Sequence, residues 1–544
     1  MSTIQRDMSL TGQPPKSLNA TQKIATVLGL LGLAILLLAA FNVDFPNKGF
    51  WLTTSLVSIA AGIILYAKGA YSNELEGIKN HGVWFKSISS RGFWAWVAGL
   101  SLTGFYIILY FFAGYLGLSD SGENTGVIAL FDPLSQLLSG NPASQWFVYG
   151  TLYTVAILAF GIKFIWKYRH NRYEKIRTMS VMFFQTAFAF LIPEFMARLN
   201  SDSFSLPYYD LKNVWPLNYY NFEQYRVDSF ISAGDVGLGL LIFGVVSILV
   251  ITPILTYKYG KRWYCSWVCG CGGLAETAGD SFRHLSDKSM KAWKVERWVV
   301  HSVLVFSVVM TTAVVATYLG YDSNKYWLTK DLFLIGVSAF LILLFLGIVY
   351  FKRKEIKKDA LLGAIGYLLV TLAFFAFMFF VDISQITFNP KALTFGLLNE
   401  TFTYNEAVRR SYGFLIGAIF SGVIGTGFYP IFGNRVWCRM GCPMAAILGL
   451  QQRLFSKFRI TTNGGQCISC GNCSTYCEMG IDVRAYAQKG ENIVRASCVG
   501  CGICSAVCPR GVLKLENGPL EGRIDGNEIL LGNDVDLMHL VNQK

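Results

Sequence analysis

The chain has 544 residues, of which 53% are hydrophobic and 15% charged, with a formal net charge of +13. Soluble globular chains carry about 25% charged residues, so the composition excludes an ordinary soluble protein, and apolar runs about as long as a bilayer is thick recur along most of the chain. The basic excess sits in alternate loops rather than in a stripe or recognition motif, which argues against nucleic acid as a partner.

Residues 1–23 read as a polar N-terminal tail ahead of an apolar run long enough to span, unlike a cleavable signal. Ten spans are predicted at roughly 24–43, 51–67, 93–117, 146–166, 180–198, 236–257, 298–318, 332–351, 361–381 and 413–432. Each is read as a helix, because a lone strand in lipid leaves its backbone unpaired. Together they make an all-α polytopic transmembrane domain over 24–433, in contact with membrane lipid.

Loop charges orient the spans. The segment 167–179 carries Lys167, Arg169, Arg172, Lys175 and Arg177, the segment 352–359 carries Lys352, Arg353, Lys354, Lys357 and Lys358, and 258–297 is also basic. The segment 119–145 has no Lys or Arg and holds Asp120, Glu123 and Asp132, while 199–235 sets five acids against Lys212 and Arg226. This alternation places both termini and the cysteine-rich region on the cytoplasmic side of a bacterial inner membrane. The aromatics of 199–235 (Tyr208, Tyr209, Trp215, Tyr219, Tyr220 and Tyr225) read as an interfacial belt or small outer cap, with a docking surface for an outer partner as the alternative.

Ionisable residues within spans are candidates for function. His301, one turn into the seventh span, is the candidate for proton exchange at a quinone; a hydrogen-bonded packing histidine is the other reading. Glu194 follows Pro193, and Arg198 at i+4 offers it an ion-pair partner. Of the five histidines only His301 lies in a span, so a bis-histidine haem across the membrane is unavailable, and no CxxCH, GxGxxG or Walker A run occurs.

The 13 cysteines begin at Cys265, a distribution that argues against a disulfide scaffold. Cys265-x3-Cys269, with Cys271 beside it, follows the sixth span, and Cys438-x3-Cys442-Pro443 follows the tenth. An even number of spans separates them, so both sites share the cytoplasmic face. At i, i+4 the thiols of a pair point to one side of a helical turn. Cys265, Cys269, Cys438 and Cys442 would then converge at the membrane surface to hold a third cluster, another metal or a redox dithiol; buried packing thiols are the plain alternative. Residues 434–466 are read as this second motif followed by a connector, in which 444–458 forms an amphipathic helix with Ile447, Leu450, Leu454 and Phe458 on one face, lying on the membrane or against the soluble domain.

The strongest signal is the pair of runs Cys467-x2-Cys470-x2-Cys473-x3-Cys477 and Cys498-x2-Cys501-x2-Cys504-x3-Cys508-Pro509. In such doubled runs each fourth cysteine ligates the other cluster. Cys467, Cys470, Cys473 and Cys508 are expected to hold one [4Fe-4S] cluster, and Cys498, Cys501, Cys504 and Cys477 the second, in a small α+β two-cluster bacterial-type ferredoxin domain over 467–544. Zinc is the competing metal for CxxC pairs. Glu478 stands where the second run has proline.

The two CxxxC motifs at helix ends with a C-terminal two-cluster domain resemble the NosR/NapH-type membrane polyferredoxins, over 436–512 and around 261–276. Gly270 replaces that family's proline, and Cys271 is additional. The resemblance implies electron exchange with the membrane quinone pool and a redox partner protein or subunit. The rival reading is a metal-handling or assembly reductase using the CxxxC cysteines. An electron-driven transporter is weaker, since the spans offer few polar residues.

Overall fold

The computed structural model describes residues 18–72, 91–119, 121–200, 205–321, 327–381, 386–388, 402–517, 530–531 and 535–536. Asp120, most of the N-terminal tail and most of the C-terminal tail lie outside them. Ten of the described helices are long and apolar enough to cross a membrane: α1 Ala20–Ala40, α2 Lys48–Tyr71, α3 Phe93–Phe111, α4 Gln145–Lys167, α5 Arg172–Arg198, α6 Gly234–Tyr259, α7 Met290–Gly320, α8 Lys330–Lys352, α9 Lys358–Phe380 and α10 Tyr404–Gly427. They are the ten spans expected; α5, α7 and α10 start eight or nine residues earlier, and side-chain caps account for α5 and α10. The Asn171 side chain accepts a hydrogen bond from the Glu174 amide and so begins α5 in the basic segment before its apolar stretch. A reciprocal Thr403–Glu406 capping box starts α10 among polar residues.

Close approach of helices is set by glycine. A Cβ at Gly62 of α2 would stand 2.8 Å from the Ala25 carbonyl oxygen and the Gly29 nitrogen of α1. Small residues at such crossings let apolar helices pack without a hydrophobic driving force. Stretches of π-helix interrupt α5 at Phe184–Leu191, α6 at Ser247–Ile251 and α10 at Gly413–Gly427.

Three connecting segments are more structured than their composition suggests. The acidic stretch 119–145 contains a helix, Gly126–Ser139, and Asp132 accepts from the Asn124 side chain and the Ala143 amide, both at 2.8 Å. The aromatic segment 205–222 is not simply an outer cap: it folds inward among the spans. Trp215 Nε1 donates to Thr311 Oγ1 of α7 at 3.0 Å, and Tyr209 reaches Gly244, ten residues into α6 and so about 15 Å along it. Tyr208 and Tyr225 remain exposed, at 42% and 64%. From the opposite direction the chain after α6 turns back through two short helices, Arg262–Cys265 and Gly270–Thr277. Gly273 there packs on Val181 of α5, and Ser180 Oγ donates to the Trp267 carbonyl at 2.9 Å.

Beyond α10 a helix, α11 Pro443–Phe455, packs by a face of small and apolar residues, Ala445, Leu448 and Gly449, with buried Gln452. Of the apolar face expected over 444–458, Leu450 is 40% exposed, and Phe458 lies past the helix end and is buried. The small sheet pairs β1 Arg459–Thr462 antiparallel with β2 Leu513–Glu516, in register from Arg459 opposite Glu516 to Thr462 opposite Leu513. One strand therefore comes from the stretch read as connector. The two ferredoxin-type runs are inserted between these strands.

Candidate iron-sulfur centres

Each run turns at a glycine that follows its second cysteine. Gly471 (φ 79°) and Gly502 (φ 92°) occupy left-handed backbone and lead into the short helices Asn472–Thr475 and Ile503–Ala506. Only glycine takes this conformation without a steric penalty. At Gly502 a Cβ would also stand 2.5 Å from Glu174 Oε1 and 2.8 Å from the Tyr173 ring. Gly502→Ala is therefore expected to destabilise the domain by about 2 kcal/mol or more, combining a left-handed penalty of about 1–2 kcal/mol with overpacking. A midpoint shift in thermal melting of the purified protein checks this; an unchanged melt would show that the turn tolerates a side chain.

The thiols gather in two groups of four. Cys467, Cys470, Cys473 and Cys508 line one concavity, together with apolar Ile468, Ala487, Val512 and Leu513. Burial, then the neighbouring Cys508, pushes the Cys473 thiol up to about 12. In the other group, burial and then Cys477 push Cys498 up to about 11, although the Gly500 amide acts the other way. Cys504 feels Cys498 and Cys477 and also Cys473 of the first group, so the two groups adjoin. Backbone amides point at the sulfurs, as Ile481 N does at Cys477 Sγ (3.4 Å), a contact that favours the charged form of a ligating sulfur. Among the described residues no three His, Cys, Asp or Glu side chains stand close enough to hold one metal ion as placed. The donor chemistry, amide environment and apolar wall fit [4Fe-4S] clusters.

The remaining motif cysteines also converge, but deeper than expected. Cys265, Cys269, Cys438 and Cys442 are 5–8% exposed and share one buried core with Tyr264, Trp437 and Met444. Burial drives the Cys442 thiol up, and Cys438, Cys265 and Cys269 each add to the effect. Cys265 is pushed up to about 12 by burial, against the pull of Lys261. The sequence placed these cysteines at the membrane surface. Instead Gly270, between Cys269 and Cys271, sits against Gln185 of α5 and Tyr153 of α4. Tyr153 is about 21 Å of helix from the ferredoxin-side end of α4 at Lys167. The cause is the backward fold of 260–277, which no hydropathy pattern announces.

Here the inward segment 205–222 arrives from the far side. The Tyr264 hydroxyl donates to the Lys212 carbonyl at 3.1 Å, and Val214 joins the cysteine core. Lys212 is ion-paired with Asp210 at 3.0 Å, and its charge acts on Cys269 and Cys271. A hydrogen bond from Cys271 is the main cause that pulls the Cys269 thiol down.

A buried ion network joins this centre to the ferredoxin-type domain. Asp280 receives Lys167 at 2.6 Å and Arg283 Nε at 2.8 Å; Arg283 continues to Glu478. Glu478 Oε1 accepts from Arg435 Nε at 3.1 Å, and its Oε2 accepts from Asn434 at 3.0 Å. Arg435 then pairs with Glu276, which pairs with Arg177, which pairs with Glu174 at 2.7 Å. The Arg435 Nη1 group also donates to Cys438 Sγ at 3.4 Å and to the Cys265 carbonyl at 3.2 Å. Arg177, Arg283 and Arg435 rank among the largest fully buried side chains. Direct contacts reinforce the joint: Ser266 Oγ to the Val499 carbonyl (2.8 Å), Tyr173 hydroxyl to the Gly500 carbonyl (2.8 Å) and Gln452 Nε2 to the Cys498 carbonyl (2.9 Å).

The other candidates stand apart from this arrangement. His301 Nδ1 contacts the Arg297 carbonyl of its own helix at 2.5 Å, and its ring lies 6.2 Å from that of Tyr367. Arg198 does not turn to Glu194. It donates to the Gln136 and Leu137 carbonyls, at the C-terminal end of the Gly126–Ser139 helix, where a cation is favoured.

The family described as "4Fe-4S dicluster domain" matches residues 466–513. The family described as "4Fe-4S binding domain" matches twice, at residues 241–289 and 412–461, the segments that carry the deep cysteines. A protein of Escherichia coli (strain K12) named for electron transport, YccM, is 23% identical over 239 residues, 44% of this chain and 46% of the relative. This chain thus spans just under half of that relative's length. No solved structure matches. The chain is a multi-helix protein of membrane-spanning character that carries 4Fe-4S ferredoxin-type segments.

Proposed function

We propose that this protein is a membrane-integral electron conduit with three [4Fe-4S] clusters. Cys467, Cys470, Cys473 and Cys508 hold the first, Cys498, Cys501, Cys504 and Cys477 the second, and Cys265, Cys269, Cys438 and Cys442 the third. When bound, the clusters supply one-electron redox chemistry. The chain's own part is to bury the thiols, aim backbone amides at the sulfurs, and place cations at the deep site: Arg435 against Cys438, Lys261 near Cys265 and Lys212 near Cys269. Three cations suit a site that gathers negative charge. The observation that carries the reading is that the deep thiols and the ferredoxin thiols Cys473, Cys498 and Cys504 belong to one continuous core. Electrons entering at the ferredoxin-type domain therefore have a short route to a centre embedded among the spans.

The natural exchange partner at that depth is the membrane quinone pool, which the resemblance to NosR/NapH-type proteins also implies, or a membrane redox partner. With the loop charges as read, both termini and the ferredoxin-type domain face the cytoplasm of a bacterial inner membrane. In an anaerobic sample in detergent, a short-chain quinone analogue should reoxidise the chemically reduced clusters and restore their visible absorbance; no reoxidation with the clusters intact would rule the quinone out as acceptor. The hydrogen-bonded pair Cys269 and Cys271 supports a second reading as a metal-handling or reductase site. That reading requires copper or zinc to bind through Cys269 without quinone turnover.

A further inference from the structure

The network described above has one member in contact with both sides. Arg435 is fully buried and its guanidinium is engaged in three directions. Nη1 reaches Cys438 Sγ and the Cys265 carbonyl at the deep site, Nε reaches Glu478, and Nη2 reaches Glu276. Glu478 directly follows Cys477, which the preceding reading assigns to the second ferredoxin cluster. It stands where the companion run has Pro509, a residue without charge. A planar guanidinium is a rigid fork, so moving toward one partner loosens another. In a water-excluded site such charges act strongly on each other.

Resting on the reading of a third cluster at the deep cysteines, we infer that the Arg435–Glu478 ion pair couples the reduction of the two centres it lies between. Glu478 draws part of the Arg435 charge away from Cys438, which keeps the deep centre harder to reduce than Arg435 alone would make it. An electron arriving at the deep site strengthens the hold of Cys438 on Arg435 and leaves Glu478 less compensated beside Cys477. The second ferredoxin centre is then disfavoured for immediate reduction, and electrons pass singly. The transfer itself makes and breaks no bond: one centre loses the electron that the other gains. Arg435 and Glu478 act here as positioning residues.

The test is a potentiometric EPR titration of the whole, anaerobically purified protein. The set comprises wild type, Glu478→Gln, Arg435→Gln, the double variant, and the charge-conserving Glu478→Asp and Arg435→Lys. Glu478→Gln should raise the deep centre's potential and Arg435→Gln should lower it. In the Arg435→Gln background more than half of the Glu478→Gln shift at the deep centre should vanish, because its route runs through Arg435. Glu478→Asp, which keeps the charge but withdraws it by one methylene, should shift the deep centre in the same direction as Gln. If the glutamine variants lose iron, the Asp and Lys variants alone decide, and no shift in either overturns the inference. Fully additive shifts in the double variant overturn it as well. A wild-type protein with signals from only the two ferredoxin centres would instead remove the reading on which the inference rests.

Discussion

Proline in place of Glu478 is expected to cripple the protein, although it would make the two cysteine runs match. The substitution removes the carboxylate that Arg283, Arg435 and Asn434 share, and leaves two fully buried guanidinium groups short of their counter-charge. Breaking one buried pair by deleting a partner costs about 3–5 kcal/mol, and here two pairs are broken together. Iron content and the thermal midpoint of the Glu478→Pro variant should both fall well below wild type. Full cluster loading with an unshifted melt would show that the junction does not depend on this residue.

The second large effect is expected at Arg283. This side chain holds Asp280 and the Glu276 carbonyl in the loop between α6 and α7 and reaches across to Glu478 of the ferredoxin-type domain. Methionine would fill much of the volume but strand Asp280 and Glu478. We expect a loss of about 3–5 kcal/mol, seen as early melting of the ferredoxin-type domain while the spans stay helical. Limited proteolysis is the direct check: Arg283→Met should be cut near 456–466, between α11 and the first cysteine run, under conditions that spare wild type. Equal resistance would mean that the backbone contacts of Ser266, Tyr173 and Gln452 hold the domain by themselves.

What could be read in the residues follows from how local each signal is. The ten spans are written in long apolar stretches, and all ten appear as helices. The ferredoxin runs are equally local, because the x2 spacing and the glycine after each second cysteine define the turn by themselves. The deep site was half legible: spacing and shared face brought Cys265, Cys269, Cys438 and Cys442 together, but not their depth. Depth depends on the backward turn of 260–277 and the inward fold of 205–222, two non-local packing events whose residues look like ordinary loops. The ion network was hidden for a different reason. Lys167 and Arg177 were counted as orientation charges, a reading that treats cations as solvated, whereas here both are buried against acids from distant segments. Glu478 was the visible clue, an acid in a proline's place, and its meaning needed Arg283 and Arg435 beside it. For Arg198, the i+4 rule proposed Glu194, but a helix end offered better acceptors.

Thiolates from three parts of the chain are proposed to hold iron in three cubanes, one of them deep among the spans. Iron and acid-labile sulfide, counted in anaerobically prepared wild type and in a Cys438→Ser variant with EPR of both, test it most directly. At four irons per cubane the account predicts about twelve irons per chain in wild type and about eight in the variant, with one EPR signal lost. About eight in both proteins with identical spectra would contradict the deep cluster, and zinc without labile sulfide would contradict the account as a whole.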